Sequence, residues 1–502
     1  MSLKKNIMAN YISQLYVTII SIIIVPLYIK YMGAEAYGLV GFFAMLQTLF
    51  MLLDMGLTPT IARETARFRG GATDGTSYRH LVQSLEGIFF IVGLIGSGIM
   101  FLASDFIAYN WLNSNHLPPQ EIETSIKLIT IIIGVRWLCG LYRGIITGSE
   151  ELIWLGSFAA FIASFRFLGV LPVLIFINPS PTSFFYYQLF IAISELLILL
   201  IKGHSLLPNI LNNKSSWSLK PIKKILKFSV SIAFTTSVWI LITQTDKIVL
   251  SKILPLADYG YFTLSVLLAS GIMLISNPIS GAIIPRMIRL DAENNHDGLI
   301  KVYRQGTQLV SIIAGATSIT LALYSQKVLW SWTGNVDIAE HGKYTLTLYS
   351  IGYGLLAVSA FPGYLQNAKG DLKLHVIGNA IFVIILIPSI IIMANQYGAI
   401  GAGYVWLTMN ITYLILWVPL VHNRFAKGLN IKWFTTDVLI IFLAEGLTGY
   451  LLLLLIPITT NRLIQFFYIG IVGLLVILSG VLASSSFWER KRLFKENKPL
   501  QN

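Results

Sequence analysis

Three arginines lie inside apolar runs where a charge is out of place: Arg136 and Arg143 in the run 122–147, and Arg166 in the run 152–177. Arg143 follows Arg136 by seven residues, so on a helix the two share a face and sit ~10 Å apart along the axis. A guanidinium offers a planar fork that grips phosphate or carboxylate oxygens in pairs, which the point charge of a lysine does less well. The pattern points to binding of an anionic solute, with Arg136, Arg143 and Arg166 as candidate substrate-binding residues. Two plainer roles stay open: Arg143 could reach out to a polar surface, and Arg166 could pair with Glu195. Gly140, Gly144 and Gly148 form a small-residue stripe beside these arginines that admits a second helix at close range. Gln244, Asp246 and Lys247 make a second group in the run 228–254. They could be a structural pair with a polar neighbour, or Asp246 could take up a proton or cation and couple it to a conformational change. These three are the candidate ion-coupling residues. Asp54, Glu86 and Glu445 fall nearer the ends of their runs and are expected to be solvated or paired.

Signals of covalent chemistry are missing from the sequence. The single cysteine, Cys139, excludes a disulfide within the chain and any multi-cysteine metal site. There is no phosphate-cradling GxxxxGK[ST] loop and no HExxH pair. The stretch Gly398-Ala-Ile-Gly401-Ala-Gly403 superficially resembles a dinucleotide loop but opens an apolar run with no strand before it, and is expected to be a helix start. No catalytic residue, metal site or resident cofactor is expected, and energy is expected to come from a proton or sodium gradient.

The elements that must position these residues are membrane helices. Of the 502 residues, 55% are hydrophobic and only 12% charged, where a soluble domain carries about 25% charge. Mean hydropathy is +0.72. A bilayer core takes about 20 apolar residues per helix, and fourteen such runs follow one another: 12–29, 38–57, 80–103, 122–147, 152–177, 184–202, 228–254, 259–284, 304–324, 343–367, 375–394, 399–421, 436–455 and 463–483. An even number of crossings puts both termini on one side. The segments on that side hold 26 of the 36 Lys and Arg residues, the opposite side 5, and the spans the remaining 5. Lysine and arginine accumulate in cytoplasmic loops, so both termini are expected in the cytoplasm. The net charge of +13 is therefore scattered over loops and forms no single face, which excludes nucleic acid as a partner.

The chain also repeats itself. Lys30, Tyr37 and Gly38 recur as Lys252, Tyr259 and Gly260 at an offset of 222. Because the offset spans six helices, the halves have parallel topology, one of the two known transporter repeat types. The expected organisation is a first lobe at 1–202, a cytoplasmic linker at 203–224, a second lobe at 225–421, and two further helices with a basic cytoplasmic tail at 422–502. Lys4-Lys5, the apolar run and Ala34-Glu35-Ala36 imitate a cleavable signal, but the duplicated turn argues for retaining residues 1–36.

Lys4-Lys5-Asn6 with Asn10 and Gln14, and Leu53-Asp54-Met55-Gly56-Leu57 followed by Arg63, resemble polysaccharide transporters of the O-antigen flippase (Wzx) type. So do Thr245-Asp246-Lys247-Ile248-Val249-Leu250 with Tyr259-Gly260-Tyr261, and Gln366-Asn367-Ala368-Lys369-Gly370. That group belongs to the multidrug/oligosaccharidyl-lipid/polysaccharide (MOP) exporter superfamily. The resemblance implies an all-α, V-shaped transporter of about 14 transmembrane helices, akin to the MATE exporters. It also implies a bacterial inner-membrane flippase that moves an undecaprenyl-pyrophosphate-linked oligosaccharide outward by ion-driven alternating access. A polysaccharide polymerase and a chain-length regulator are the implied protein partners, beside the bilayer itself. Rival readings are a lipid II flippase, a multidrug antiporter and a membrane glycan polymerase or ligase. Three arginines disfavour a carrier of cationic drugs, and short outer loops disfavour the enzyme.

Overall fold

The computed structural model describes residues 3–208, 220–455 and 460–485, with the side chains of 3–11, 220–232 and 235 left out of account. The centre of the expected linker (209–219) and the basic tail beyond 485 lie outside the described residues. The described chain is helical throughout, apart from a lone β-bridge between Asn113 and Pro255.

Two compact units form, Met1–Gly260 and Tyr261–Asn502. The first contains α1 (Leu3–Ile23), α2 (Val25–Met32), α3 (Ala34–Phe50), α4 (Leu57–Arg69), α5 (Gly75–Leu102), α6 (Pro119–Gly148), α7 (Leu152–Phe167), α8 (Val170–Phe176), α9 (Pro181–Ser205) and α10 (Lys220–Ile253). Helix α11 (Leu256–Ala292) begins there. The second unit holds α12 (His296–Leu323), α13 (Ser325–Thr333), α14 (Val336–Ser359), α15 (Phe361–Ala368), α16 (Lys373–Thr412), α17 (Val418–Phe425), α18 (Ile440–Leu453) and α19 (Arg462–Ala483). The packing thus divides at 260, since α10, which opens the second sequence repeat, packs on α3, α4 and α5.

Among the described residues, twelve stretches are long and apolar enough to cross a membrane. One of them, Lys373–Phe425, is 53 residues long. As a single rod it would run ~80 Å at 1.5 Å per residue, against a hydrocarbon core of about 30 Å. Gly398 breaks it with φ 57° and ψ −137°, so it makes two crossings, the break lying where the apparent dinucleotide loop begins. With the 34-residue α10, the crossings match the fourteen runs of the sequence. Large apolar side chains face outward along them: Leu102 is 83% exposed, Phe176 82% and Phe467 71%. Water would not tolerate so continuous an apolar surface, whereas lipid does. The chain is a multi-pass membrane protein.

Short motifs from the sequence have local physical explanations. In Leu53-Asp54-Met55-Gly56-Leu57, Met55 (φ 44°) and Gly56 (φ 71°) take left-handed conformations that turn the chain out of α3. Asp54 Oδ1 then accepts hydrogen bonds from the Thr58 backbone N–H (3.2 Å) and Oγ1 (2.6 Å), satisfying the free end of α4. The duplicated Tyr-Gly pair explains itself by contact. A Cβ on Gly260 would lie 2.8 Å from the Ala34 carbonyl oxygen and 3.2 Å from the Gly38 nitrogen. Each repeat's glycine therefore admits the other's backbone. Nearby, the buried Glu35 accepts from three successive backbone N–H groups, those of Asn115 (2.8 Å), His116 (3.1 Å) and Leu117 (2.9 Å), which fixes the outer loop before α6.

Candidate functional site

The three arginines meet. Arg136 and Arg143 on α6, together with Arg166 on α7, line one cavity of about 440 Å3 in the first unit, with Glu195 of α9, Gln47 of α3, and Asp54 and Thr58 at the turn into α4. The glycine stripe of α6 seats it against α4. A methyl group on Gly144 would lie 2.9 Å from the Thr58 carbonyl oxygen, and one on Gly148 2.6 Å from Thr65 Cβ. Only glycine lets α4 approach α6 this closely.

Helix α9 answers α6 with the same spacing. Gln188 and Glu195 stand seven residues apart, as Arg136 and Arg143 do, so the two helices present matched ladders. Arg136 Nη2 donates to Gln188 Oε1 (3.0 Å) and Nη1 to Gln47 Oε1 (2.8 Å). The guanidinium carbon of Arg136 lies 5.1 Å from the Phe43 ring centroid, a cation–π distance. Gln188 is itself held by donating to the Arg166 carbonyl oxygen (2.9 Å). One turn-pair lower, the buried Glu195 takes Arg143 on Oε1 and Arg166 on Oε2. The plainer roles are thus partly realised: Arg166 does pair with Glu195, and Arg143 shares that carboxylate rather than reaching only for a surface.

The charge does not balance. Three guanidinium groups surround one carboxylate, and Arg136 is held by two neutral amides. The Nε atoms of Arg136 and Arg166 are buried without a hydrogen-bond partner. Asp54, the other acid on the wall, spends its oxygens on Thr58. The wall thus carries three guanidinium groups against two carboxylates, an excess of positive charge. Gln47 and Gln188 are the partners of Arg136 that charge-counting overlooked; the seven-residue spacing of α6 and α9 hints at Gln188, and nothing in the sequence hints at Gln47.

Gln244, Asp246 and Lys247 are not on the cavity wall, to which α10 contributes Thr236. They form a separate group. Asp246, 3% exposed, accepts from the Lys247 backbone N–H (2.8 Å) and lies 3.4 Å from Lys247 Nζ. Nζ also donates to the Thr243 carbonyl oxygen (2.5 Å), and Gln244 Nε2 to Thr243 Oγ1 (3.3 Å). The acids expected near helix ends divide. Asp54 caps α4, and Glu86 pairs with His204 Nε2 (2.9 Å). Glu445 departs from expectation: it is fully buried, and neither oxygen has a partner among the described residues.

A many-helix membrane protein enclosing a cationic cavity has the build of a membrane transporter. The chain belongs to the polysaccharide biosynthesis protein family, whose model matches residues 3–291. A curated relative, the "Putative O-antigen transporter" of Shigella flexneri, is 20% identical over 407 residues, covering 81% of this chain and 94% of that protein. Among solved structures, the lipid II flippase MurJ in an inward closed conformation is similar with a TM-score of 0.74 at 17% identity, over 96% of this chain and 99% of that one. An inward-facing MATE multidrug resistance transporter is similar with a TM-score of 0.67 at 14% identity, over 82% and 96%. The fold is that of the MOP superfamily, as the sequence resemblance implied.

Proposed function

We propose that this protein is a flippase that carries an undecaprenyl-pyrophosphate-linked oligosaccharide, an O-antigen or similar repeat unit, from the cytoplasmic to the periplasmic leaflet of a bacterial inner membrane. The observation that carries the reading is the excess of arginine over carboxylate around the first-unit cavity. A pyrophosphate brings the missing negative charge, and Arg136, whose guanidinium is held only by neutral amides and a ring, is placed to receive it. The polyprenyl tail stays in lipid while the lobes at 1–202 and 225–421 alternate access, and no bond is made or broken. Both termini lie in the cytoplasm by the distribution of Lys and Arg. A polymerase and a chain-length regulator are the expected partners in the next steps of assembly.

A lipid II flippase shares the fold and the pyrophosphate and differs in the sugar. A carrier of cationic drugs is disfavoured, because the cavity would repel its substrate. The deciding experiment is complementation of a strain lacking this protein with Arg136→Ala. Membrane insertion should be unchanged while surface polysaccharide is lost and lipid-linked sugar accumulates on the cytoplasmic face. Normal polysaccharide in that variant would refute the cavity's role.

We propose further that Asp246, with Lys247 and Gln244 beside it, couples transport to a proton or sodium gradient. In vesicles with an imposed gradient, Asp246→Asn should transport at a rate independent of the gradient. Unchanged gradient dependence would remove Asp246 from coupling.

A further inference from the structure

Glu445 occupies the middle of α18 and is fully buried. Neither carboxyl oxygen has a hydrogen-bond partner. Two glycines face it from neighbouring helices: a methyl group on Gly315 of α12 would collide with Oε2, and one on Gly480 of α19 with Oε1. The niche is shaped to a carboxyl group, yet supplies neither donor nor counter-charge. On α12, residues 308–323 contain no Asp, Glu, Lys, Arg, His or Tyr; α19 carries Arg462 and Tyr468 near its start, and α18 carries Tyr450. Tyr324 spends its hydroxyl on the Gly449 carbonyl oxygen (2.8 Å), one turn away. Asp437, eight residues before Glu445, is taken by Arg304.

An ionised carboxylate here would be a buried charge with no partner, which a protein avoids by keeping the group neutral. We propose that Glu445 is a proton-binding site of this protein: a carboxylic acid that keeps its proton while α12, α18 and α19 are packed together, and whose release of the proton drives that junction apart. The charge, once formed, has no compensation in the closed junction and is stabilised only when water enters. Helices α18 and α19 lie outside the two six-helix repeats, so this site is separate from the arginine cavity and does not depend on the identity of the transported solute.

The test uses the purified full-length protein in lipid vesicles without substrate. Infrared difference spectra between the wild type and Glu445→Gln at pH 7 should show the carbonyl stretch of a protonated acid that the variant lacks. Deuterium exchange of the amides in 440–453 and 463–483 should rise with pH more steeply in the wild type than in the variant. If the Gln variant does not fold, Glu445→Ala serves in the same subtraction. Absence of the acid band at pH 7, or an identical pH profile of exchange in both proteins, overturns the proposal.

Discussion

The two units each bury an arginine–carboxylate cluster, and the clusters differ in stoichiometry. In the second unit Arg304 of α12 meets Asp437 ahead of α18 with two parallel hydrogen bonds, Nε to Oδ2 (2.6 Å) and Nη2 to Oδ1 (2.8 Å). Gln308 Nε2 adds a third bond to Oδ1 (2.6 Å), and Arg304 Nη2 also reaches Thr436 Oγ1 (3.0 Å). Asp437 is fully buried under these bonds, and the cluster ties the helices together. In the first unit Arg143 and Arg166 share Glu195 beside a cavity whose third arginine, Arg136, is held by the amides of Gln47 and Gln188. In the second cluster a bidentate pair occupies the carboxylate, whereas in the first the guanidinium groups outnumber the carboxylates on the wall. Counting cations against carboxylates distinguishes these two clusters, which depth in the membrane alone does not.

That contrast can be broken from either side. The largest effect is expected in the second unit. Asp437→Ala removes both parallel hydrogen bonds and the opposite charge that Arg304 meets at this carboxylate, which should cost about 3–5 kcal/mol. Thermal denaturation of the purified protein would register the loss, while the affinity of the remaining folded protein for pyrophosphate should not change. A smaller and opposite effect is expected in the first unit. Glu195→Gln keeps the shape but removes the internal anion that competes for Arg143 and Arg166. Binding of inorganic pyrophosphate should tighten about tenfold, or ~1.4 kcal/mol, as read by calorimetry. Unchanged binding would mean that the first cluster is a staple like the second.

Much of the first cluster was legible in the sequence because depth within an apolar run singles out Arg136, Arg143 and Arg166 without any knowledge of packing. The stripe of Gly140, Gly144 and Gly148 was equally visible, since close approach of two helices has a fixed spacing. Gln47 and Gln188 were not. Neutral amides raise no alarm in a charge count, and Gln47 lies 89 residues from Arg136 along the chain. Glu445 was misjudged for the opposite reason: it was placed near the end of its run and expected to be solvated or paired, but Gly315 and Gly480 on two other helices close over it. Position along one helix cannot report what neighbouring helices do.

The sequence by itself determined the class of protein and its crossings. Each of these depends on the cost of moving a residue between water and hydrocarbon, a local quantity that sums along the chain. The tertiary structure alone decided which arginines share a carboxylate, which hold only amides, and which acid has no partner. Those outcomes depend on distances of a few ångströms between residues far apart in sequence, and electrostatic pairing in a low-dielectric interior is governed by those distances.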